Sequence, residues 1–127
     1  MLLRARIVVP VSQPPIVDGF VRVNGNRITE VGEWSDAENK SEADDLGEVI
    51  LLPGLVNAHC HLDYTDFVGA IPAPRSFNDW INAIVDLKAD VDDAVHRESW
   101  IHGAAQCLRH GTTTLGNIET RPDLLPE

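Results

Sequence analysis

The stretch that most constrains this chain is Leu51-Leu52-Pro53-Gly54-Leu55-Val56-Asn57-Ala58-His59-Cys60-His61-Leu62-Asp63. It is a short apolar run, punctuated by Pro-Gly and ending in two histidines one residue apart. A run of this length reads as a buried parallel strand. Side chains on a strand alternate between faces, so His59 and His61 are expected to point one way and Cys60 the other. Two imidazoles side by side at the end of a buried strand need a use, and a divalent metal supplies one.

A chain of 127 residues holds one ordinary domain, or a small domain and part of another. Its hydrophobic content of 43% suffices for a packed core and argues against disorder. The 10 Lys+Arg against 20 Asp+Glu leave a net charge of -10, with no basic stripe to neutralise phosphates, so no nucleic-acid partner is expected. No apolar run approaches the ~20 residues of a membrane span. The N-terminus, with Arg4 and Arg6 interrupting its apolar residues, lacks a signal-peptide pattern. The only two cysteines, Cys60 and Cys107, suggest no disulfide framework, and Cys60 reads as packing. A cytoplasmic protein without membrane association is therefore expected.

Ahead of the central stretch, Leu3 to Val9 reads as a strand ended by prolines. Two alternating segments around Asn24-Gly25-Asn26 read as a hairpin. Phe20 spoils the alternation with Val21 and Val23. The acidic segment from Trp34 to Gly47 reads as a solvated loop, and Glu48 to Leu52 as renewed strand. Up to this point several antiparallel strands are expected.

Behind it, Asp63 to Pro74 reads as a long loop of the kind that often serves function. Ser76 is a helix N-cap candidate, followed by Phe77, Trp80, Ile81, Ile84 and Val85 at helical spacing. Asp90 is a candidate cap for a second helix, whose apolar stripe runs through Val91, Ala94, Val95, Ile101, Ala104, Ala105 and Leu108 to a C′ residue at Gly111. Thr112 to Ile118 reads as a second buried strand. Strand, loop, helices and strand make a crossover unit with a parallel sheet.

Active sites of such folds gather at the carboxyl ends of the strands. That is where His59 and His61 stand. Asp63 continues their parity and is a candidate for the metal or a substrate, unless the strand stops first and Asp63 merely anchors a loop. Asn117, with Glu119, ends the second strand and could line the same mouth or simply cap it. Trp80 is either core or a lid over the site. His96 and His102 are expected to face solvent, and His110 to close its helix.

Leu52-Pro53-Gly54-Leu55-Val56-Asn57-Ala58-His59-Cys60-His61-Leu62, followed by Arg109-His110-Gly111-Thr112-Thr113-Thr114, resembles the N-terminal part of the amidohydrolase superfamily. The likeness is to its cytosine deaminase-like, chlorohydrolase and aminofutalosine deaminase branch. The hairpin-rich front segment also looks like that family's N-terminal β-sandwich. The resemblance implies an α/β and β architecture: residues 1–52 as part of a β-sandwich, then 53–127 as the first βα units of a (β/α)8 hydrolase barrel, incomplete in this chain. It implies that His59 and His61 bind one divalent metal, Zn²⁺ or Fe²⁺. Activated water would then deaminate, dechlorinate or hydrolyse a heterocyclic, purine-like small molecule.

The family's further histidines, its aspartate and its glutamate proton shuttle come from later strands and have no counterpart here, so no catalytic residue is assigned. A barrel takes ~250 residues, typically at least 200. The expectation is a front piece completed in cis or in trans, inactive alone, with apolar edges exposed, and homo-oligomeric at full length. The rival expectation is a non-catalytic binding or assembly fragment with an incomplete metal site. A small metal carrier using His59, His61 and Asp63 is a third.

Overall fold

The structure is a computed structural model that describes residues 1–124; the last three residues of the expected second segment lie outside the described residues. The chain divides into two compact units, Met1–Pro53 and Gly54–Glu127.

The first unit is a five-stranded sheet. Strands β1 (Leu2–Val8), β2 (Ile16–Asn24) and β3 (Arg27–Glu33) form an antiparallel meander, and Gly25-Asn26 closes the hairpin. Gly25 takes the positive φ of 59° that such a tight connection requires. Contrary to a purely antiparallel expectation, β4 (Ala43–Asp45) and β5 (Ile50–Leu51) both pair parallel to β1.

The acidic segment is also more than a loop. It contains two short 3₁₀ turns and β4, and it buries Ala37 with Trp34 against Leu2 and Phe20. This cover explains the imperfect alternation of β2. Phe20 and Val21 are consecutive, so they point to opposite faces, and both are buried. Phe20 sits in the Leu2–Ala37 cluster, and Val21 with Ala5 and Val8. Both clusters bury apolar side chains, so neither face of β2 is wholly polar.

The second unit is β6 (Leu55–Cys60), a 3₁₀ segment (Leu62–Phe67), α1 (Phe77–Ala89), α2 (Asp93–Arg109) and β7 (Thr112–Asn117). β6 and β7 pair in parallel, with Cys60 opposite Asn117, so their carboxyl ends lie level. Ser76 caps α1 by accepting the Asp79 N–H at 3.1 Å. The cap of α2 is Asp92, not Asp90. Its Oδ1 accepts the N–H groups of Ala94 and Val95 at 2.8 and 3.0 Å, whereas Asp90 belongs to the end of α1 and donates its N–H to Leu87. Gly111 has φ 83°, the left-handed backbone of a helix C′ residue.

Two expectations about burial are corrected. β6 is not buried among the described residues: Leu55 and Val56 are 51% and 68% exposed, because the strand has a single neighbour and little covers its faces. The expected stripe of α2 likewise leaves Val95, Ile101 and Leu108 exposed. What α2 turns inward is His96, Ser99 and Gly103. Small and hydrogen-bonding residues are buried there because the partner is the 3₁₀ segment. A Cβ on Gly103 would stand 3.1 Å from the Leu62 carbonyl oxygen and overlap the Thr65 hydroxyl.

Candidate metal-binding and catalytic site

β6 stops at Cys60, but His61 keeps an extended backbone (φ -131°, ψ 90°), so the alternation persists by one residue. His59 and His61 therefore share a side: their ring centroids lie 5.3 Å apart at 74°. The Asn57 side chain accepts the His59 N–H at 3.2 Å, a local tie at the strand end. His59 is exposed and His61 half-buried. The Nδ1 of His61 is covered and has no hydrogen-bond partner among the described residues, which leaves Nε2 as the nitrogen available to an ion. Two imidazoles this close can share a first-row divalent cation, whose ordinary ligands include the neutral histidine ring. The residues present fit a metal, and two ligands leave room for more.

Cys60 lies on the other side. Its thiol sits 3.9 Å from the Gly116 carbonyl and 3.8 Å from the Asn117 side-chain oxygen. Burial, helped by the neighbouring Cys107, pushes the Cys60 thiol above its ordinary pKa.

The backbone turns at Leu62. Asn117, at the end of β7, accepts the Leu62 N–H at 2.9 Å, and Ile118 donates to the Cys60 carbonyl at 2.9 Å. Asn117 thus splices the two strand ends together with its side-chain oxygen. Past the strand, the 3₁₀ segment turns the Asp63 side chain wholly inward. There Asp63 pairs with Lys88 from the last turn of α1, and Lys88 also donates to the Thr120 hydroxyl. Ser99 of α2 donates to the Asp63 carbonyl at 3.2 Å and accepts the Asp66 N–H at 3.1 Å. This is the arrangement of a loop anchor.

His96, expected at the surface, is buried instead, with Nε2 3.3 Å from Glu119 Oε1. That carboxylate also accepts the N–H groups of Thr120 and Arg121, each at 2.7 Å. Burial alone would raise the Glu119 pKa, but these two N–H donors and His96 outweigh it and hold the carboxyl below its ordinary value. His102 is exposed, as expected, beside Asp66 at 3.2 Å. Trp80 is half-buried on α1 in a tilted pair with Phe77, ring centroids 5.7 Å apart; the aromatic contacts of the described residues do not join it to His59 or His61.

Sequence reasoning missed Tyr64, Lys88, His96 and Ser99. Tyr64 stacks on His61 with centroids 4.6 Å apart and planes at 5°, and Lys88 Nζ lies 4.9 Å from the Tyr64 ring centre. A faint signal existed for two of them: a histidine and a serine three apart on a helix, His96 and Ser99, mark one face. Nothing in the spacing announced Tyr64 or Lys88, because they meet through the 3₁₀ turn.

The model of the amidohydrolase family matches residues 50–124. A 5-methylthioadenosine/S-adenosylhomocysteine deaminase of Moorella thermoacetica is 30% identical over an alignment covering 93% of this chain and 28% of its own length. A 5'-deoxyadenosine deaminase of Methanobrevibacter smithii is 30% identical over 103 residues, 80% of this chain and 23% of that protein. Among solved structures, a zinc-bound adenosine deaminase from Xanthomonas campestris superposes with a TM-score of 0.78 at 25% identity, over 97% of this chain and 29% of that one. The zinc complex of an atrazine chlorohydrolase from Arthrobacter aurescens shares the fold, with a TM-score of 0.71 at 24% identity over 90% of this chain and 27% of its own. The chain thus spans less than a third of the length of each of these relatives. The family match spans most of the second unit, and the chain belongs to the amidohydrolase family.

Proposed function

We propose that this chain supplies the first two metal ligands, His59 and His61, of a hydrolytic deaminase acting on a purine-type nucleoside or a related heterocycle. The observation that carries the reading is the pair of imidazoles 5.3 Å apart at the carboxyl end of β6, level with the end of β7. The similarity to deaminases of 5'-deoxyadenosine and of 5-methylthioadenosine/S-adenosylhomocysteine supports the substrate class. One divalent ion, Zn²⁺ before Fe²⁺, is the proposed cofactor, in keeping with the zinc held by two of the structural relatives.

A divalent ion held at such a site supplies Lewis acidity and draws the pKa of water towards ~7. The chain's own part is preparatory. His59 and His61 offer ring nitrogens from alternate positions on one side of the strand. Cys60 turns its thiol to the other side, towards Gly116 and Asn117. Asn117, Asp63 and Glu119 hold the segments that follow β6 and β7, so the ligands stand on a fixed rim. We assign Asp63 and Asn117 to this positioning role and leave Trp80 as the candidate substrate contact on α1.

The remaining ligands and the proton shuttle are proposed to come from the rest of the barrel, in cis or in trans. That remainder would also cover Leu55, Val56 and the exposed faces of the helices. Among the described residues no helix is long and apolar enough to cross a membrane, and a cytoplasmic location is proposed.

The test is ammonia release from adenosine, 5'-deoxyadenosine, 5'-methylthioadenosine and S-adenosylhomocysteine by the complete polypeptide that carries this chain. Release that disappears in both His59→Ala and His61→Ala supports the proposal. Metal-loaded protein that releases no ammonia from any of these substrates sinks the substrate class, and activity that survives both substitutions sinks the site.

A further inference from the structure

Metal-bound histidines are ordinarily oriented by a hydrogen bond from their second ring nitrogen to a carboxylate, carbonyl or water, and such partners contribute 10–100-fold to metal affinity. His61 has no protein partner of this kind: its Nδ1 is buried and unbonded among the described residues. The nitrogen is already covered by this chain, so residues added by a longer polypeptide could not reach it without displacing that cover. Something else must set the plane of the ring.

The ring is stacked. The Tyr64 ring lies parallel to His61 at 4.6 Å, and Phe67 continues the stack at 5.7 Å from Tyr64. Tyr64 is fixed in turn. Its N–H donates to the His61 carbonyl at 3.2 Å, which folds the backbone back on the histidine. Its ring bears the Lys88 ammonium 4.9 Å from its centre, within the range of a cation–π contact. Lys88 is held on its other side by the buried carboxylate of Asp63 and by Thr120. Asp63 is held through its carbonyl by Ser99 of α2. A contact path therefore runs from α1 and α2, through Lys88 and Tyr64, to one imidazole.

We propose that Tyr64 and Lys88 are positioning residues for the His61 metal ligand, replacing by a cation-braced stack the hydrogen bond that usually orients such a histidine. The proposal rests on the metal role of His61 and deepens it. It assigns Lys88, on a helix far along the chain from the histidines, to the ligand's geometry and not to the substrate.

The experiment uses the complete polypeptide, stripped of metal by chelation and titrated with Zn²⁺ against a chromophoric competitor and with Co²⁺ for its visible spectrum. Tyr64→Leu removes the stack, and Tyr64→Phe retains it. Removing Lys88 alone would strand a buried carboxylate, so Lys88→Met is combined with Asp63→Asn. The expected result is a 10–100-fold weaker Zn²⁺ affinity and altered Co²⁺ bands for Tyr64→Leu and for the double variant, with both properties retained in Tyr64→Phe. A merely structural role would lower thermal stability and leave the bands of the folded protein unmoved. Unchanged affinity and spectrum in Tyr64→Leu overturn the proposal while the metal reading stands. Failure of the unsubstituted protein to bind either ion, or equal binding by His59→Ala/His61→Ala, overturns the metal reading and this proposal with it.

Discussion

Gly103 offers a sharp test of how α2 docks on the segment behind the histidines. Replacing glycine by alanine within a helix ordinarily stabilises it by ~1 kcal/mol, so a free surface position would gain. At Gly103 the new methyl would stand 3.1 Å from both the Leu62 carbonyl oxygen and its Cδ2, and it would overlap the Thr65 hydroxyl. The carbonyl is backbone and yields little. Thr65 could rotate, but its hydroxyl now donates to Leu62 O at 2.6 Å, a bond worth roughly 1 kcal/mol. Overpacking costs ~1–3 kcal/mol besides. Against the helical gain, Gly103→Ala should destabilise by about 1–3 kcal/mol. Thermal unfolding reads the total, and hydrogen exchange of the α2 amides localises it. Thr65→Ala combined with Gly103→Ala should recover part of the loss, since it vacates the space the methyl needs. A Gly103→Ala protein as stable as the unsubstituted one, or more so, would rule out this close docking of α2.

Two further outcomes follow from the same packing. Ser99→Ala removes the donor to the Asp63 carbonyl and the acceptor of the Asp66 N–H, and it should cost ~1–3 kcal/mol, read by chemical denaturation. Glu119 titrates below its ordinary value of 4.5 in the folded protein. A lowered folded pKa means that its stabilisation is present above the unfolded value and is lost as pH falls through the folded one. Glu119→Gln should therefore be less stable than the unsubstituted protein at neutral pH, with the gap closing as the pH falls below 4.5 and through the folded value. A gap that widens towards acid would contradict the assignment.

Much of this was legible in the residues because it is local. The Asn24–Arg27 turn, the Ser76 cap, the Gly111 terminus and the strand alternation that puts His59 beside His61 all depend on near neighbours. What was not legible depends on what covers a surface. Phe20 and Val21 break the alternation of β2 because the Trp34–Ala37 turn roofs one face. On α2 the polar-looking His96, Ser99 and Gly103 are buried because they meet a 3₁₀ turn rather than a sheet, while the apolar stripe stays open. Asp63 illustrates both cases. Strand parity pointed it towards the histidines, but the strand had already ended, and the turn carried its carboxylate to Lys88.

In the proposed site, His59 and His61 together hold one divalent metal. It is tested most directly by elemental analysis of the complete polypeptide, purified without added chelator, beside His59→Ala, His61→Ala and Cys60→Ser. The expected outcome is about one zinc or iron per chain for the unsubstituted protein and for Cys60→Ser, and its loss from both histidine variants while their circular dichroism stays folded. Metal retained at full stoichiometry in folded His59→Ala and His61→Ala would contradict it.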